Sequence, residues 1–462
     1  MKTGLVWFKN DLRLHDNEVL CSAIAECDNL VLFYCIEEYL FKELDLGFRK
    51  AGINRFLFLN KSLENLQKKL SEIGGHLIVK YGTASEHIPK LIEKFDIRHV
   101  YAEQEYAWEE LKLIEDVEKN CPDIKFQYYW GKTLYHIDDI PFTIEKIPLT
   151  SKAYRIPTSK KSTVREPFAV PDTIDSHPKA KNSSLPSYQD LGFNSSEGKN
   201  HKPYVAGGED AGLKRLQYYS FETEQLTSYR WTRNRSLGME YSSKFSPYLA
   251  LGCLSPRQIY QTVKQYEKDV KKNQSTWWLI FELVWRDYFT FKGMKFENAI
   301  FKIEGFKNKK VDFENNTDLF ERWKKGKTGV PFVDAHMRQL NKTGFMSNRG
   351  RVNCSSYLIH DLKIDWTWGA SYFESKLIDY DVSSNWLNWH VQAYEIWYTN
   401  PVNQANKYKA QEFIRKWVPE LKDFNDRDIL IPWTIDQQVY PKPHSIFDKW
   451  TRAINKIIKE NS

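Results

Sequence analysis

Short apolar runs alternate with amphipathic stretches between residues 1 and 132, and this alternation constrains the fold more than any other feature of the sequence. The apolar runs lie at residues 5–8, 30–36, 76–81, 100–101 and 125–130. Between the second and third runs, apolar residues recur at spacings of three and four, the pattern of one helical face: Phe56, Leu59, Leu63, Leu66 and Leu70. Strands that alternate with helices predict an α/β fold, a doubly wound, Rossmann-like parallel sheet with ligands at the carboxyl ends of its strands. No GxGxxG motif follows the first strand, so the standard dinucleotide-binding fingerprint is missing.

The rest of the chain differs in composition and in the spacing of its apolar residues. Residues 133–205 are rich in Pro, Ser, Lys and Asn and predict a long connector over the surface, anchored by the aromatic side chains of Phe168, Tyr188 and Phe193. From residue 206 the periodicity is helical, and residues 277–291 are apolar nearly all round, as expected of a buried helix. The sequence therefore predicts an α/β domain over residues 1–132, a connector over 133–205 and a mostly α-helical domain over 206–462.

The 462 residues include 16 tryptophans, and 13 of these follow residue 200. Tryptophan packs well around flat groups such as bases and cofactors, but a large helical core would also account for the bias. With 41% hydrophobic and 15% aromatic residues, the chain is not of a disordered class. No run approaches the ~18 apolar residues of a membrane-spanning helix, and the N-terminus is typical of a strand rather than of a secretory signal. The six cysteines form no CxxC pair, which favours reduced thiols and a cytoplasmic location.

Several catalytic motifs are absent or incomplete. Gly326, Lys327 and Thr328 resemble the end of a phosphate-binding loop. The glycine that such a loop requires five positions earlier is Glu321, so we predict a turn there instead. There is no HExxH motif and no GxSxG elbow, so the sequence predicts no catalytic zinc or other metal site and no hydrolase of that class.

One acidic turn and three further clusters are candidate binding elements. The turn contains Asp379, Tyr380 and Asp381, and Asn385 follows it. Two carboxylates at this spacing could bind a metal ion or act as a general acid and base. They could also accept hydrogen bonds from sugar hydroxyls or ring N–H groups, or cap a helix. The other clusters, rich in cations or hydroxyls, lie at residues 229–235, 242–247 and 348–351. They suit a pyrophosphate or a phosphodiester backbone, although solvated surface charge is the alternative for each one alone.

These segments together resemble the photolyase/cryptochrome flavoprotein family, and they are most similar to its cryptochrome DASH branch. The matching segments follow the family's order: residues 5–17, 243–252, 282–289, 326–329, 344–351 and 379–381. The sequence motifs that match this branch in particular lie at residues 207–209, 232–234, 241–246 and 345–351. The resemblance implies an N-terminal α/β domain, a connector and a helical domain that binds a folded FAD.

The resemblance also implies roles for individual residues. Those expected to bind FAD are Tyr229, Ser242, Ser243, Lys244, Phe245, Ser246, Glu282, Arg286, Asn348, Arg351, Asp379, Tyr380, Asp381 and Asn385. Within this set, residues 242–246 would lie at the FAD phosphates and Asn385 near the flavin N5. Trp389, Trp366 and Trp323 match a relay that passes electrons from the surface to photoexcited FAD.

Other positions match those that meet nucleic acid or a second chromophore in the family. The positions implied to contact DNA are Arg233, Trp285, Asn348, Arg349 and Gln404. Glu109 matches the carboxylate that would hold a folate antenna, 5,10-methenyltetrahydrofolate. Val391 stands where members of the DASH branch place Tyr, and Trp386 is bulkier than the usual turn residue. Both departures bear on lesion binding and repair more than on FAD binding.

The function that the resemblance implies is a light-driven lyase. Blue light would excite reduced FAD, which gives one electron to a cyclobutane pyrimidine dimer, mainly in single-stranded DNA; the ring splits and the electron returns. Two alternatives stay open: a blue-light photoreceptor that binds DNA or RNA without efficient repair, and a dark flavin redox or nucleic-acid-binding protein. The net charge of +7 permits all three, and the short tail after Pro443 disfavours the photoreceptor. Damaged DNA is the expected partner, and a monomer without membrane contact is the expected state.

Overall fold

The computed structural model describes residues 2–395, 398–435 and 438–460, and it begins with a five-stranded parallel sheet. The strands of this sheet are β1 Thr3–Phe8, β2 Asn29–Glu37, β5 Leu77–Gly82, β6 Ile97–Glu103 and β7 Lys125–Tyr129. A separate antiparallel pair consists of β3 Glu43–Leu44 and β4 Phe48–Arg49. The order across the sheet is β5-β2-β1-β6-β7. All five predicted runs form strands, so the predicted doubly wound α/β fold is confirmed.

Helices cover the sheet, and this is why its central strands are apolar throughout. They are α1 Glu18–Glu26, α2 Ile53–Glu72, α3 Ala84–Phe95 and α4 Trp108–Lys119. Every residue of β1 and β2 is buried, as expected of central parallel strands enclosed on both faces. The predicted apolar face of α2 is buried as well. The chain passes from β1 towards β2 and β5 and later returns to β6 and β7, which places a switch point and its crevice between β1 and β6.

The connector is ordered against this sheet. Its helices are α5 Ser151–Lys161 and α6 Ser195–Asn200, and most of the remainder is irregular. Phe193 is buried and packs on Phe41 and Phe56, so it anchors the connector as predicted. Tyr188 is partly buried against the same core, whereas the predicted anchor Phe168 is exposed. Ser176 also forms a parallel bridge with Leu30 at the start of β2.

The second half of the chain is helical. Its helices are α7 Glu209–Gln217, α8 Tyr229–Thr232, α9 Ser246–Ala250, α10 Pro256–Asp269, α11 Gln274–Phe296, α12 Thr317–Lys324, α13 Pro331–Thr343, α14 Asn348–Ser356, α15 Trp366–Lys376, α16 Val382–Tyr394, α17 Pro401–Lys407, α18 Gln411–Trp417 and α19 Thr451–Glu460. The long α11 contains the predicted apolar helix and contacts α5, α8, α10 and α16. The side chain of Asn273 caps it by accepting from the backbone N–H groups of Ser275 and Thr276.

Two hydrophobic cores meet at α11. One joins a face of the sheet to the connector and to α7–α11, and the other packs α12–α19 together; Trp285 borders both. Gly326 and Gly329, with φ of 60° and 86°, form the predicted turn after α12. All six cysteines are free thiols. Across the described ranges, every helix is too short or too polar to cross a membrane.

Candidate cofactor site

A buried pair of cations lies at the loop before α9. Lys244 sits in the left-handed region at φ 60° and is 5% exposed, and its Nζ donates to Ser242 Oγ at 2.5 Å. From α7, Arg215 donates to the backbone carbonyls of Ser242 and Ser243 at 3.2 and 2.9 Å. Burial, reinforced by the positive charge of Arg215, lowers the pKa of Lys244 to about 7. The carboxylate recorded closest to Arg215 is Glu240, whose oxygen is 4.0 Å away.

This arrangement has the chemistry of an anion site. Lys244 has no carboxylate within ion-pair distance among the described residues, although a buried cation normally needs an opposite charge. Ser246 starts α9, and Phe245 is buried against Tyr219 at 5.9 Å between ring centroids. A phosphate or pyrophosphate would supply the missing negative charge. The predicted FAD-phosphate residues therefore fit the group that they were assigned to.

The acidic turn lies beside this loop. Arg351 donates to both oxygens of Asp379 at 2.8 and 2.7 Å, and Ser246 Oγ donates to Asp379 Oδ2 at 2.7 Å. Asp381 accepts from the backbone N–H of Ser384 at 2.7 Å and so caps α16. The two carboxylates are thus held by protein groups, and no cluster of three or more metal-ligating side chains is found in the described ranges.

The remaining predicted FAD residues surround these two elements. Tyr229 and Asn385 are buried, and Asn385 Nδ2 donates to the carbonyl of Ala370 at 3.0 Å. Asn348 is exposed in the first turn of α14. Tyr380 faces the α/β half, because the guanidinium of Arg55 from α2 lies 4.6 Å from the centre of its ring.

Glu282 and Arg286 of α11 take different partners. Glu282 accepts from Trp278 Nε1 at 2.8 Å and lies 2.6 Å from Arg233 Nη1. Burial raises the pKa of Glu282, and the charge of Arg233 opposes that shift. Arg286 donates to the carbonyl of Lys132 and lies 4.0 Å from Asp381. Arg233, expected at DNA, is therefore also the counter-ion of a predicted FAD residue.

The three tryptophans of the predicted relay lie in one core. Trp389 and Trp323 have ring centroids 6.3 Å apart. The ring of Trp389 packs against Gly369, so closely that a Cβ at that glycine would lie 2.2 Å from it. Trp366 lies on the same helix as Gly369, one turn earlier. Trp389 is 3% exposed, and Trp366 and Trp323 are 0% exposed. The resemblance implies a relay that starts at the surface, whereas all three of these rings are buried.

Partly exposed rings adjoin this core. Tyr394 lies 6.4 Å from Trp366, and Trp368 lies 5.3 Å from Phe320, which stacks on Trp323 at 5.9 Å. Trp386 is buried against Trp366 and donates to Glu374 Oε2 at 3.1 Å. It belongs to the hydrophobic core, whereas Val391 is half-buried.

Arg349, another predicted DNA position, connects two of the predicted clusters. Arg349 Nη2 donates to Asn234 Oδ1 at 3.2 Å, which joins the clusters at residues 348–351 and 229–235. The guanidinium of Arg349 also lies 5.0 Å from the ring centre of Tyr408, just after α17, and Gln404 is in α17. Trp285 is half-buried, with its ring 5.6 Å from that of Phe289.

A cavity opens at the switch point of the sheet. It has a volume of about 80 Å³ and is lined from both halves of the chain by residues that include Asn10, Glu103, Glu105, Glu110, Arg286 and Asp381. Lys132 Nζ lies 2.6 Å from Glu103 and 3.1 Å from Glu105. Burial raises the pKa of Glu103 and that of Glu110 to about 7 each.

The predicted antenna residue does not line this cavity. Glu109 is half-exposed and lies 2.8 Å from Lys50 Nζ, which also pairs with Glu374 at 2.9 Å. The carboxylate that α4 contributes to the cavity lining is the next residue, Glu110. Sequence reasoning missed Glu103 and Glu105, although their place at the end of β6 was a usable signal. It also missed Arg215, which no local pattern marks.

Family models match both halves of the chain. Residues 4–172 match the model described as DNA photolyase, and residues 278–459 match the FAD binding domain of DNA photolyase. A protein named cryptochrome DASH from Synechocystis sp. is 41% identical, over 98% of this chain and 97% of its own length. Another cryptochrome DASH, from Natronomonas pharaonis, is 39% identical over 95% of this chain and 94% of its own. The crystal structure of a Synechocystis cryptochrome superposes with a TM-score of 0.92, with 39% identity and 99% of each chain covered.

Proposed function

Because the chain belongs to the photolyase/cryptochrome family, in its cryptochrome DASH branch, we propose that it is a FAD-dependent photolyase. Its substrate would be the cyclobutane pyrimidine dimer, mainly in single-stranded DNA. The observation that carries the proposal is the buried cation pair Lys244 and Arg215, in which Arg215 has Glu240 at 4.0 Å but Lys244 has no carboxylate at ion-pair distance among the described residues. The pair lies beside the Ser246–Asp379–Arg351 cluster. We also propose the three units 1–132, 133–205 and 206–462 as its domain organisation.

Each part of the pocket has a task in holding FAD. Lys244, Ser242 and Ser243 would bind the phosphates, with Arg215 holding their loop in place through its carbonyls. Asp379, fixed by Arg351 and Ser246, would accept hydrogen bonds from the bound group. The amide of Asn385 is oriented by its bond to Ala370 and would lie at the flavin. FAD, when bound and reduced, supplies one-electron transfer driven by an absorbed photon.

Trp389, Trp366 and Trp323 would carry electrons inward to keep the cofactor reduced. Since all three are buried, the path needs an outer ring that solvent reaches. The partly exposed candidates in contact with the core are Tyr394, beside Trp366, and Trp368, which reaches Trp323 through Phe320.

Trp285 would stack on the extruded lesion, while Arg233, Asn348, Arg349 and Gln404 would contact the strand around it. Extrusion from the base stack costs a few kcal/mol in a duplex and less in a single strand, which supports the preference for single strands. A folate antenna is proposed at Glu109, next to the cavity that Glu110 lines. A carboxylate there could accept from the N–H groups of a pterin ring.

A second candidate function has one observation in its favour. Val391 offers an aliphatic side chain where another ring would be expected to stack on the lesion. A photoreceptor that binds DNA or RNA without efficient repair would tolerate this change.

The experiment compares repair with photoreduction. Purified protein with reduced flavin is incubated with thymine-dimer oligonucleotides, single-stranded or duplex, in blue light and in darkness. Light-dependent recovery of thymines, faster on the single strand, is expected. Photoreduction of the bound flavin without recovery of thymines would favour the photoreceptor, and a protein that binds no FAD would contradict both functions.

A further inference from the structure

Two of the most exposed tryptophans of the molecule lie together near the start of α11. Among the tryptophans that the structure describes, the exposed ones are Trp231 at 69%, Trp108 at 54% and Trp277 at 52%. Trp231 is on α8, which packs against α11 and donates a backbone hydrogen bond from Arg230 to Ser275 Oγ at 3.2 Å. Leaving indole rings in water is unfavourable, so two of them at one place indicate a contact surface.

A line of rings connects this surface to the proposed lesion pocket. Trp277, Phe281 and Trp285 are four residues apart on α11 and so share one face of the helix. Their successive ring centroids are 5.0 and 6.3 Å apart. At 1.5 Å per residue, the line spans about 12 Å along the helix axis, the length of a few nucleotides.

Arginines alternate with these rings. The guanidinium of Arg155, from α5, lies 4.3 Å from the ring centre of Phe281 and 5.9 Å from that of Trp285. Arg230 lies between two indoles, 4.6 Å from Trp231 and 4.9 Å from Trp278. Stacked guanidinium and indole planes are surfaces on which unpaired bases also stack.

The charge of this region is mostly positive. Helix α5 carries Lys152, Lys160 and Lys161 as exposed cations and has no acidic residue. Glu282, the carboxylate of α11 nearest to these rings, is held by Arg233 at 2.6 Å. The region is therefore complementary to a polyanion that also carries flat apolar groups.

We propose that this surface, which we call the aromatic face and define by Arg155, Arg230, Trp231, Trp277 and Phe281, binds unpaired bases of a single strand. The strand would run outward from Trp285 along α11, with its bases on the rings and its phosphates towards the lysines of α5. Only the inner end of this track rests on the proposed function, through the lesion-binding role of Trp285. The face would bind undamaged strands as well, in darkness.

Base pairing decides which nucleic acid fits. In a duplex the bases stack on one another and expose only their edges in the grooves, so the rings of the aromatic face gain no base surface. In a single strand each base offers its face, and stacking on an aromatic side chain is worth about 5- to 150-fold in affinity per base. The aromatic face therefore discriminates single strands from duplexes before any lesion is flipped.

The test measures dark binding of an undamaged, fluorescein-labelled oligothymidylate by anisotropy, alone and paired with oligoadenylate. Trp277→Ala and Trp231→Ala should each weaken single-strand binding about 5- to 150-fold and affect the duplex much less. Trp277→Phe should restore most of the loss. Trp108→Ala, equally exposed but on α4, is the matched control and should bind as the wild type does.

The salt dependence of binding distinguishes the contribution of phosphate contacts from that of base stacking. Lys160→Gln should lower the dependence of log affinity on log salt by about one phosphate contact, whereas Trp277→Ala should leave that slope unchanged. Arg98→Gln, an exposed arginine on β6, is the control.

Three results would overturn the proposal. The first is wild-type affinity in both tryptophan variants, and the second is an equal loss on single strand and duplex. The third is a wild-type dimer, detected by sedimentation, that Trp277→Ala dissociates, since a second copy would then cover the rings. These measurements use neither light nor damage, so a failure of repair with intact strand binding would count against the proposed function alone.

Discussion

At the scale of the residue, the environment of Lys244 indicates the charge of the ligand that the pocket would bind. The ammonium of Lys244 is buried beside Arg215, and its pKa falls to about 7 because burial disfavours the charged form. Arg215 is itself fixed by backbone carbonyls, so it cannot turn away to relieve the repulsion. An anion bound here would stabilise both cations and raise the pKa of Lys244.

This predicts that FAD binding takes up a proton. Below about pH 7 Lys244 is already charged and the affinity of the apoprotein for FAD should be at its full value. As the pH rises above 7, the affinity should fall, by up to about tenfold per pH unit, because the ligand must then recruit the proton. Fluorescence titration of apoprotein with FAD across this pH range measures the slope.

Lys244→Arg is the control for that slope. Arginine stays charged at all these pH values, so the variant should bind FAD with little pH dependence. An equal slope in the wild type and in Lys244→Arg would assign the proton to another group.

At the scale of the element, helices α15 and α16 form one electron-transfer unit in our proposal. Gly369 lets the ring of Trp389 approach α15 closely, because a Cβ there would collide with it at 2.2 Å. Phe373 packs edge-on against the same ring at 5.0 Å. The cap of α16 by Asp381 ties this pair of helices to the acidic turn of the pocket.

Trp389→Phe should therefore separate two activities of the flavin. Photoreduction of oxidised FAD should be lost, because phenylalanine is far harder to oxidise than tryptophan, while repair by enzyme reduced beforehand should persist. The measurement is flavin absorbance under blue light with an external reductant, followed by the dimer-repair assay. Trp433→Phe, a buried ring that packs on Trp450, is the matched control, and undiminished photoreduction in Trp389→Phe would exclude this residue from the path.

At the scale of the whole molecule, buried polar bonds hold the α/β half against the helical half. Asp16 accepts from Arg257 Nη2 and Nε of α10 at 2.5 and 2.9 Å, and both side chains are almost fully buried. His15 is hydrogen-bonded to Glu209 of α7, and burial lowers the pKa of His15. Lys69 supplies the charge that Glu209 needs, at 3.2 Å. The switch-point cavity lies between these halves, so its shape depends on their alignment.

Arg257→Ala should destabilise the protein by about 3–5 kcal/mol, because Asp16 would be left as an unpaired buried charge. Urea unfolding followed by circular dichroism measures the change. Lys112→Ala removes an exposed ion pair on α4 and should cost about 0–1 kcal/mol. A loss in Arg257→Ala no larger than in Lys112→Ala would mean that the Arg257–Asp16 pair stabilises the protein no more than an exposed ion pair does.

Acid should weaken the same contact. Although burial acts to raise it, hydrogen bonds from His15 and the charge of Lys69 hold the pKa of Glu209 down at about 2. Because the folded pKa is depressed, the stabilisation is complete above about pH 4.5 and is lost as the pH falls towards 2, a loss on the order of 3 kcal/mol. Thermal melting across this range should show a shallower acid dependence in Glu209→Gln than in the wild type, and parallel curves would contradict the assignment.

The sequence by itself determined the α/β sheet, the long apolar helix α11, the turn at Gly326 and the clusters that meet in the pocket. These follow from local patterns, since continuous apolar runs report strands buried on both faces and helical spacing reports a buried stripe. Tertiary structure decided the partners: Arg215 with the loop at Ser243, Glu282 with Arg233, and Glu110 in place of Glu109 at the cavity. It also decided that Trp323 is sealed in the core. Residues far apart in sequence meet only once the helices have packed, and the burial of a side chain depends on what then covers it.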